Sequence, residues 1–336
     1  MSDRLNQLGL QALLSQGYQP TAGTLLGRIT RQDRQRLTVL TEHGPVRVIL
    51  NPKDRLAKKN KNLAPVVGDW AEIEEGASDS VMPSVKTLLP RFSKLSRRAA
   101  GDAPVEQLLV ANPDFVFVVS GLDQNFNPNR IQRFLSMAWS CGLPPVLLLS
   151  KADLTDALPA KLKLLEPILY GTPVYPVNMH DGSSLEAPLL HLKTGQCAAL
   201  IGSSGVGKST LVNQLLGVDQ MATRAVRAFD DKGRHTTTHR ELCVLPGGNG
   251  LIIDTPGMRE AQIWYDEAQL RARYQDLLNH ANHCKFTNCR HLEEPDCRVK
   301  NQASIDPRMD NLWRQFCLVA YGITDVSELT SSGGPN

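Results

Sequence analysis

The stretch GSSGVGKS, residues Gly202 to Ser209, decides the fold class of this 336-residue chain. It follows the apolar run CAALIG at 197–202 and precedes an amphipathic segment at 209–216. Glycines let such a loop curl so that backbone N–H groups point inward, at the positive end of the following helix. The match to G-x-x-x-x-G-K-[ST] between a strand and a helix predicts a phosphate-binding loop, against the alternative of a purely structural turn.

Two side chains of this loop predict how phosphates are held. Lys208 is expected to meet the β- and γ-phosphates of a nucleotide, and Ser209 is expected to ligate Mg²⁺. We expect the whole loop and the residue after it to contact the nucleotide: Gly202, Ser203, Ser204, Gly205, Val206, Gly207, Lys208, Ser209 and Thr210.

The segment DTPG, residues 254–257, closes a second apolar run, GLIIDTPG. A strand-end carboxylate at Asp254 can hold Mg²⁺ through water. The N–H of Gly257 can reach the γ-phosphate, and a glycine lets the backbone move once that group leaves. Alone, DTPG is equally compatible with a simple turn. Downstream of a phosphate-binding loop, it indicates the part of a nucleotide hydrolase that senses the γ-phosphate.

The segment SKAD, comprising Ser150, Lys151, Ala152 and Asp153, differs from the GTPase consensus N-K-x-D only at its first position. The Asp153 carboxylate can accept both the N1–H and the N2–H of guanine, a pairing that adenine cannot reciprocate. The stem of Lys151 can lie over the base. Ser150 is shorter than Asn and is expected not to bridge as Asn does, so we predict guanine preference with weaker binding. The alternative is a strand-end turn without a ligand.

The base-reading segment SKAD precedes the phosphate-binding loop, which reverses the order found in ordinary GTPases. Strands of a sheet must be neighbours in space but need not be consecutive, and chain ends that lie close together can be joined and the chain cut elsewhere. Near-continuous apolar runs at 115–123, 145–153, 173–178, 197–202 and 250–257 predict strands buried on both faces of a doubly wound sheet. The sequence therefore predicts a circularly permuted α/β P-loop GTPase domain over residues 101–265.

The segment DDKGRHTTTHREL, residues 230–242, lies between the phosphate-binding loop and DTPG. Its threonines suit a switch loop in which one hydroxyl reaches Mg²⁺ and one N–H reaches the γ-phosphate. We expect Thr237 in this role, with Thr238 second. Met258 stands where many GTPases place a water-orienting Gln, so His235 is the nearest candidate to position the attacking water; the alternative is a surface-loop histidine.

Residues 1–100 are predicted to form a basic β-barrel of the oligonucleotide-binding (OB) type with an N-terminal extension. Short β segments such as AGTLLGRIT, RLTVLTE, PVRVILN and GDWAEIEEG alternate with turns. The region holds 16 Lys and Arg against 9 Asp and Glu, which favours a polyanionic partner over a merely solvated basic face. The basic residues include Arg28, Arg31, Arg34, Arg36, Lys53, Arg55, Lys58, Lys59, Lys61, Arg91, Lys94, Arg97 and Arg98.

Residues 266–336 are polar and mostly helical in pattern, and they contain the cluster Cys284-x4-Cys289-x-His291-x5-Cys297. Three thiolates and an imidazole can close a tetrahedral site for one structural Zn²⁺ in a segment too short for its own core. The sequence alone leaves His280 and His283 open as alternatives to His291 as the fourth ligand. The last eight residues, LTSSGGPN, are expected to be disordered.

The whole chain offers no uninterrupted run of eighteen apolar residues and no secretory signal pattern. Its seven cysteines form an odd set that does not suggest a disulfide framework. We therefore expect a cytoplasmic protein without membrane contact, and we expect a monomer.

With these motifs in permuted order, the chain resembles the bacterial ribosome small subunit-dependent GTPase A (RsgA) family. The most specific parts are GSSGVGKSTL, GRHTTTHREL, DTPGMRE and the Cys/His cluster, and VVGDW at 66–70 and LLPRFSKLSRR at 88–98 are similar to the family's barrel. The resemblance implies an OB-fold barrel, a permuted GTPase domain that uses GTP, GDP and Mg²⁺, and a zinc-binding domain. It also implies action on the small ribosomal subunit and its rRNA late in maturation, with hydrolysis stimulated by that subunit.

The resemblance implies roles for individual residues as well. Lys208 and Ser209 would meet the phosphates, residues 150–153 would read the base, and His235 would act in hydrolysis. Two other functions remain open at this point: an RNA-binding scaffold with a weak nucleotide site, favoured by Ser150 and Met258, and a P-loop ATPase or small-molecule kinase.

Overall fold

The computed structural model describes residues 3–33, 36–50, 64–74, 82–99, 105–217, 240–256 and 274–321. Several predicted residues lie outside these ranges: His235, Thr237, Thr238, Gly257, Met258, the basic residues Arg34, Lys53, Arg55, Lys58, Lys59 and Lys61, and the tail LTSSGGPN. Their predicted roles stay predictions.

Two short helices and a closed five-stranded barrel form the N-terminal part. The helices are α1 Asp3–Gln7 and α2 Leu10–Leu14, and the strands are β1 Leu25–Asp33, β2 Arg36–Thr41, β3 Gly44–Leu50, β4 Trp70–Glu74 and β5 Ser84–Leu88. Strand β1 pairs with both β2 and β4, β2 pairs with β3, β3 with β5 in parallel, and β5 with β4, which closes the ring. The predicted OB-type barrel is confirmed.

Alternating apolar residues fill the barrel because successive side chains of a strand point to opposite faces. Ile29, Val39, Val48 and Ile73 are fully buried in one cluster inside it.

The central part of the chain contains an α/β sheet covered by helices, together with a separate pair of strands. Its strands are β6 Lys94–Arg98, β7 Glu106–Ala111, β8 Phe115–Gly121, β9 Pro145–Ser150, β10 Val174–Val177, β11 Cys197–Gly202, β12 Glu241–Val244 and β13 Leu251–Asp254. Its helices are α3 Pro128–Ser140, α4 Leu158–Leu169, α5 Glu186–Leu189 and α6 Lys208–Leu216.

Strand order in this sheet is β10-β9-β8-β11-β13-β12. All neighbouring pairs are parallel except β12 with β13, which are antiparallel. Every residue of β8, β9 and β11 is buried, as strands covered on both faces require. Strands β6 and β7 form a separate antiparallel pair that spans the predicted domain boundary at residue 100.

Barrel and central sheet are continuous, because Arg31 of β1 pairs with Glu241 of β12. Beside this junction, the buried guanidinium of Arg28 donates hydrogen bonds to three carbonyls: Leu8 O at 2.7 Å, Asn112 O at 2.7 Å and Gly68 O at 3.1 Å. Arg28 therefore joins the turn between the two N-terminal helices, the segment before β4 of the barrel and the turn that follows Ala111.

The basic surface predicted from residues 1–100 is smaller than the sequence suggests. Counting Arg28 as part of it is wrong, because its cation is used in the interior. Arg91 pairs with the buried carboxylate of Asp69 at 2.6 Å, and Lys94 pairs with Glu106 at 2.9 Å. Linear charge clustering cannot distinguish such internal pairs from solvent-facing cations.

The C-terminal part holds helices α7 Gln275–Ala281, α8 Arg298–Ala303 and α9 Pro307–Tyr321 around a small core of their own. Helix α9 also reaches the central part, where the side-chain amide of Gln315 donates to Tyr170 O at 2.9 Å. Among the described helices, none has both the length and the apolar character needed to cross a bilayer. The division into 1–100, 101–265 and 266–336 stays a prediction.

Candidate functional site

Three predicted motifs meet at one edge of the central sheet. Ser150 ends β9, Gly202 ends β11 and Asp254 ends β13. These three strands are parallel to one another and to β8, which lies between β9 and β11. Because the carboxyl ends of parallel strands share one edge, segments separated by more than fifty residues of sequence become neighbours there.

The phosphate-binding loop depends on glycine at two positions. A Cβ on Gly202 would lie 2.3 Å from Val119 O of the neighbouring strand, so the loop can leave β11 only without a side chain there. Gly207, with φ of 98°, stands immediately before α6 in a left-handed conformation that other residues rarely adopt. The loop consequently arrives at the start of α6, where unpaired N–H groups suit an anion.

Lys208 is buried at the base of this loop. Its ammonium donates to Gly202 O at 2.9 Å and to Ser203 O at 2.8 Å. Burial lowers the pKa of Lys208 to about 8, and the nearby carboxylate of Asp254 opposes this shift. A bound polyphosphate would favour the charged ammonium, as a phosphate-binding lysine requires.

The predicted Mg²⁺ ligands occupy suitable positions. Ser209 lies exposed in the first turn of α6, followed by Thr210, and Asp254 is buried at the end of β13. A hydroxyl and a carboxylate beside a phosphate-binding loop supply the oxygen donors that Mg²⁺ prefers. These residues fit the ion, and their role as ligands stays a prediction.

Ser150 bridges to the phosphate-binding loop, so the expectation that its side chain is too short for this contact is wrong, while the expected weaker binding of guanine stays a prediction. Its fully buried hydroxyl donates to Val206 O at 2.6 Å, and Ser120 O lies 3.3 Å away. The backbone of the loop approaches β9 closely enough that a side chain one atom shorter than Asn spans the gap. A hydroxyl with a single proton can donate only this one hydrogen bond at a time.

Beyond Ser150 the chain turns sharply to present the rest of the base-reading segment. Lys151 adopts a left-handed φ of 60°, and Ala152 to Leu154 form one 3-10 turn. Ala152 is partly exposed and Asp153 is exposed at this edge. The Lys151 ammonium lies 2.6 Å from Oδ2 of Asp123, a residue in the loop after β8.

Three residues near this edge were not singled out from the sequence. Asp123 contacts Lys151, Arg130 donates from Nη1 to the Ser203 hydroxyl at 3.2 Å, and Met179 packs against Gly207. Met179 belongs to the segment VNMHDG that follows β10. A signal for Asp123 existed, because it follows the carboxyl end of a central strand, where ligand sites of α/β sheets occur.

A second candidate site lies in the C-terminal part. The ligand atoms of Cys284, Cys289, His291 and Cys297 all lie within 4.8 Å of one another. His291, rather than the alternative His280 or His283, completes this group. Within the described part of the chain, no other cluster of this kind occurs.

Distances in the Cys/His cluster match those around a tetrahedral metal ion. Nδ1 of His291 lies 3.7 Å from Sγ of Cys284 and 3.5 Å from Sγ of Cys297, and those two sulfurs are 4.0 Å apart. Zinc–ligand bonds of about 2.3 Å to sulfur and about 2.0 Å to nitrogen place neighbouring ligands about 3.5 to 3.8 Å apart. Burial lowers the pKa of His291, which favours the neutral imidazole that binds metals.

Packing fixes the histidine of this cluster. Trp313 of α9 is fully buried and donates from Nε1 to His291 O at 2.8 Å. His291 itself has a left-handed φ of 63°, so this hydrogen bond stabilises a backbone conformation that is uncommon for residues other than glycine. The Cys/His cluster is thereby connected to the longest helix of the C-terminal part.

Known proteins resemble this chain in sequence and in fold. A family model described as RsgA GTPase matches residues 88–264, which is more than half of the chain. A Lactiplantibacillus plantarum protein named small ribosomal subunit biogenesis GTPase RsgA 2 is 37% identical over 300 residues, covering 89% of this chain and 84% of the relative. A Vibrio parahaemolyticus protein of the same name is 39% identical over 310 residues, covering 91% and 81%.

The chain belongs to the RsgA GTPase family. The resemblance drawn from the motifs is confirmed, and with it the prediction of a GTP-hydrolysing enzyme.

Solved structures agree with this assignment at the level of the fold. YjeQ from Thermotoga maritima matches with a TM-score of 0.58 at 25% identity, covering 89% of this chain and 99% of that protein. YloQ, described as a circularly permuted GTPase, matches with a TM-score of 0.55 at 21% identity, covering 95% and 100%. The predicted circular permutation is confirmed, so the reversed motif order reflects topology rather than a different chemistry.

Replacing Ser150 tests the bridge between the two halves of the nucleotide site. Ser150→Ala removes the hydrogen bond to Val206 O and should weaken GDP binding by about fivefold, the effect of one neutral hydrogen bond. Isothermal titration calorimetry with GDP measures this. Ser140→Ala is the matched control, because that buried hydroxyl donates to Met137 O within α3 and its removal should leave the affinity unchanged. Equal affinities for the Ser150 variant and wild type would contradict the bridging role.

Removing one ligand tests the Cys/His cluster. Wild type should contain about one zinc ion per chain by plasma mass spectrometry, and Cys289→Ser should lose most of it and melt at a lower temperature. Cys243→Ala, which changes a buried cysteine of β12 outside the cluster, should keep its zinc. Zinc-free wild type, or a fully loaded Cys289 variant, would rule out this ligand set.

Proposed function

We propose that this protein binds GTP at the carboxyl edge of its central sheet, hydrolyses it to GDP and phosphate, and uses that step to time its release from immature small ribosomal subunits. Membership of the RsgA GTPase family supports the hydrolysis. The ribosomal role is taken from its relatives, which are named small ribosomal subunit biogenesis GTPases.

The observation that carries the nucleotide site is the hydrogen bond between Ser150 and Val206. It joins the base-reading segment to the phosphate-binding loop at 2.6 Å, so both ends of one nucleotide can be held at once. In this arrangement a purine would contact Asp153 and Lys151, and its phosphates would contact the N–H groups at the start of α6.

Each part of the site has a proposed task. The N–H groups of residues 203–210 and the Lys208 ammonium cradle the phosphates, and the exposed Asp153 accepts two hydrogen bonds from guanine. Ser209 and Asp254 would hold Mg²⁺, which neutralises phosphate charge when bound. Thr237 and Gly257, with Thr238 as second choice, would sense the γ-phosphate, and His235 would orient the attacking water.

Both flanking parts would contact rRNA in this proposal. The barrel still exposes Arg36, and β6 exposes Arg98, although fewer cations of residues 1–100 face solvent than the sequence suggested. In the C-terminal part, the Cys/His cluster with bound zinc would shape the surface. A cytoplasmic monomer remains our expectation.

The scaffold alternative loses one of its two supports. A weak nucleotide site was favoured by Ser150, but Ser150 makes the bridge that the site requires. An ATPase or kinase is disfavoured by Asp153 in the base-reading segment. Neither alternative has a specific observation in its favour among the described residues.

The decisive assay for the proposed function is GTP hydrolysis with and without purified small ribosomal subunits. We expect slow turnover alone and clear stimulation by subunits. His235→Ala should lower the stimulated rate by about a hundredfold, a typical contribution of a water-positioning general base, with GDP affinity kept.

His180→Ala is the matched control for that assay, because His180 is exposed near the same edge and has no proposed role. It should hydrolyse GTP at the wild-type rate. Equal rates for wild type with and without subunits would refute the stimulation, and an unaffected His235 variant would refute the proposed role of that residue.

A further inference from the structure

Asp123 forms an ion pair with the base-reading lysine from a loop that no motif covers. Its Oδ2 lies 2.6 Å from Nζ of Lys151, and both side chains are about three-quarters buried, with exposures of 24% and 29%. An ion pair this short and this buried restricts the conformations that the Lys151 side chain can adopt.

The loop that carries Asp123 is itself held against the base-reading segment. Leu122, fully buried, donates its N–H to Ser150 O at 2.9 Å. The ammonium of Lys161, on α4, donates to Leu122 O and lies 5.4 Å from the centre of the Phe126 ring. The strand end, this loop and α4 therefore form one bonded unit around Lys151.

Local geometry aims the carboxylate of Asp123 inward. Its Oδ1 accepts a hydrogen bond from Asn125 N at 3.0 Å, and its Oδ2 accepts from Lys151 at 2.6 Å and from the side-chain amide of Asn125 at 3.4 Å. A Cβ at Gly121 would lie 2.7 Å from Oδ1, so the absence of a side chain there makes room for this orientation. Consistent with the contact, the Lys151 ammonium holds the pKa of the Asp123 carboxyl below its ordinary value.

We propose that Asp123 is a positioning residue for the guanine nucleotide: it anchors the ammonium of Lys151 so that the alkyl stem of that lysine forms a fixed apolar shelf for the purine face. The inference rests on the proposed nucleotide site and deepens it. Lys151 needs such an anchor because its ammonium would otherwise be free to turn into solvent, and an apolar stem contacts a base only while it is held in place.

The anchored alkyl stem of Lys151 would contact only the base, whereas the loop before α6 would bind the phosphates. Losing the anchor should therefore weaken ligands that carry a purine and spare ligands that consist of phosphates alone. A general loosening of the fold would weaken both classes, and this difference separates a positioning role from a structural one.

The test compares GDP with tripolyphosphate as ligands of the full-length protein. Asp123→Asn should weaken GDP binding by about fivefold, the range for one ion pair, while tripolyphosphate binding stays within about twofold. In steady-state hydrolysis the same variant should raise KM with little change in kcat. Asp123→Glu, which keeps the carboxylate, should retain most of the GDP affinity.

Asp156→Asn is the matched control, since it removes an exposed carboxylate three residues beyond Asp153 without touching Lys151. It should leave GDP binding unchanged. A double-mutant cycle should show that Asp123→Asn adds little to the loss caused by Lys151→Ala, because the carboxylate acts through that lysine.

Two results would overturn the inference: Asp123→Asn binding GDP as tightly as wild type, or GDP and tripolyphosphate losing affinity together. Failure of the proposed function looks different, because wild type itself would then neither bind GDP nor hydrolyse GTP.

Discussion

The hydrogen bond from Ser150 to Val206 O sets the geometry on which the nucleotide site depends. It crosses the end of β8, past Ser120 O, and fixes the distance between the segment that would read a base and the loop that would hold phosphates. Both partners are buried, and leaving such a group without a partner costs about 1 to 3 kcal/mol. The bond forms because β9, β8 and β11 lie side by side in parallel register, a spatial relation that does not depend on chain order. Circular permutation therefore leaves the spatial relation of these segments intact.

Both flanking parts of the chain connect to elements that carry the site. Strand β12, whose first residue pairs with Asp254, is also paired with β1 of the barrel. On the other side, α9 packs on α3, the helix that follows the Asp123 loop and sends Arg130 to Ser203. Arg28 stabilises the first connection by satisfying three carbonyls from three segments. Both flanking parts are thus joined to the nucleotide edge through covalent and hydrogen-bonded neighbours.

Motifs and apolar periodicity were sufficient to predict the fold, because glycine spacing, buried strand runs and cysteine spacing each have one dominant physical cause. The roles of individual side chains were harder to predict from the sequence than the fold. The reach of Ser150 depends on how closely two backbones approach, which side-chain length alone does not reveal. Arg28 belongs to a cationic cluster in sequence, yet its direction is set by carbonyls from distant segments. Asp123 matches no motif, and its partner Lys151 becomes visible only when β8 and β9 are placed together.

The most direct test of convergence on one guanine nucleotide is the base preference of Asp153→Asn, measured by competitive titration with GTP and XTP. Xanthine carries a carbonyl where guanine carries an amino group, so the introduced amide can donate to it while accepting N1–H. We predict that GTP binding weakens by about tenfold to a hundredfold and that XTP becomes the preferred ligand. An unchanged preference for GTP would show that Asp153 does not face the base held by this phosphate-binding loop, and the account of the site would be wrong.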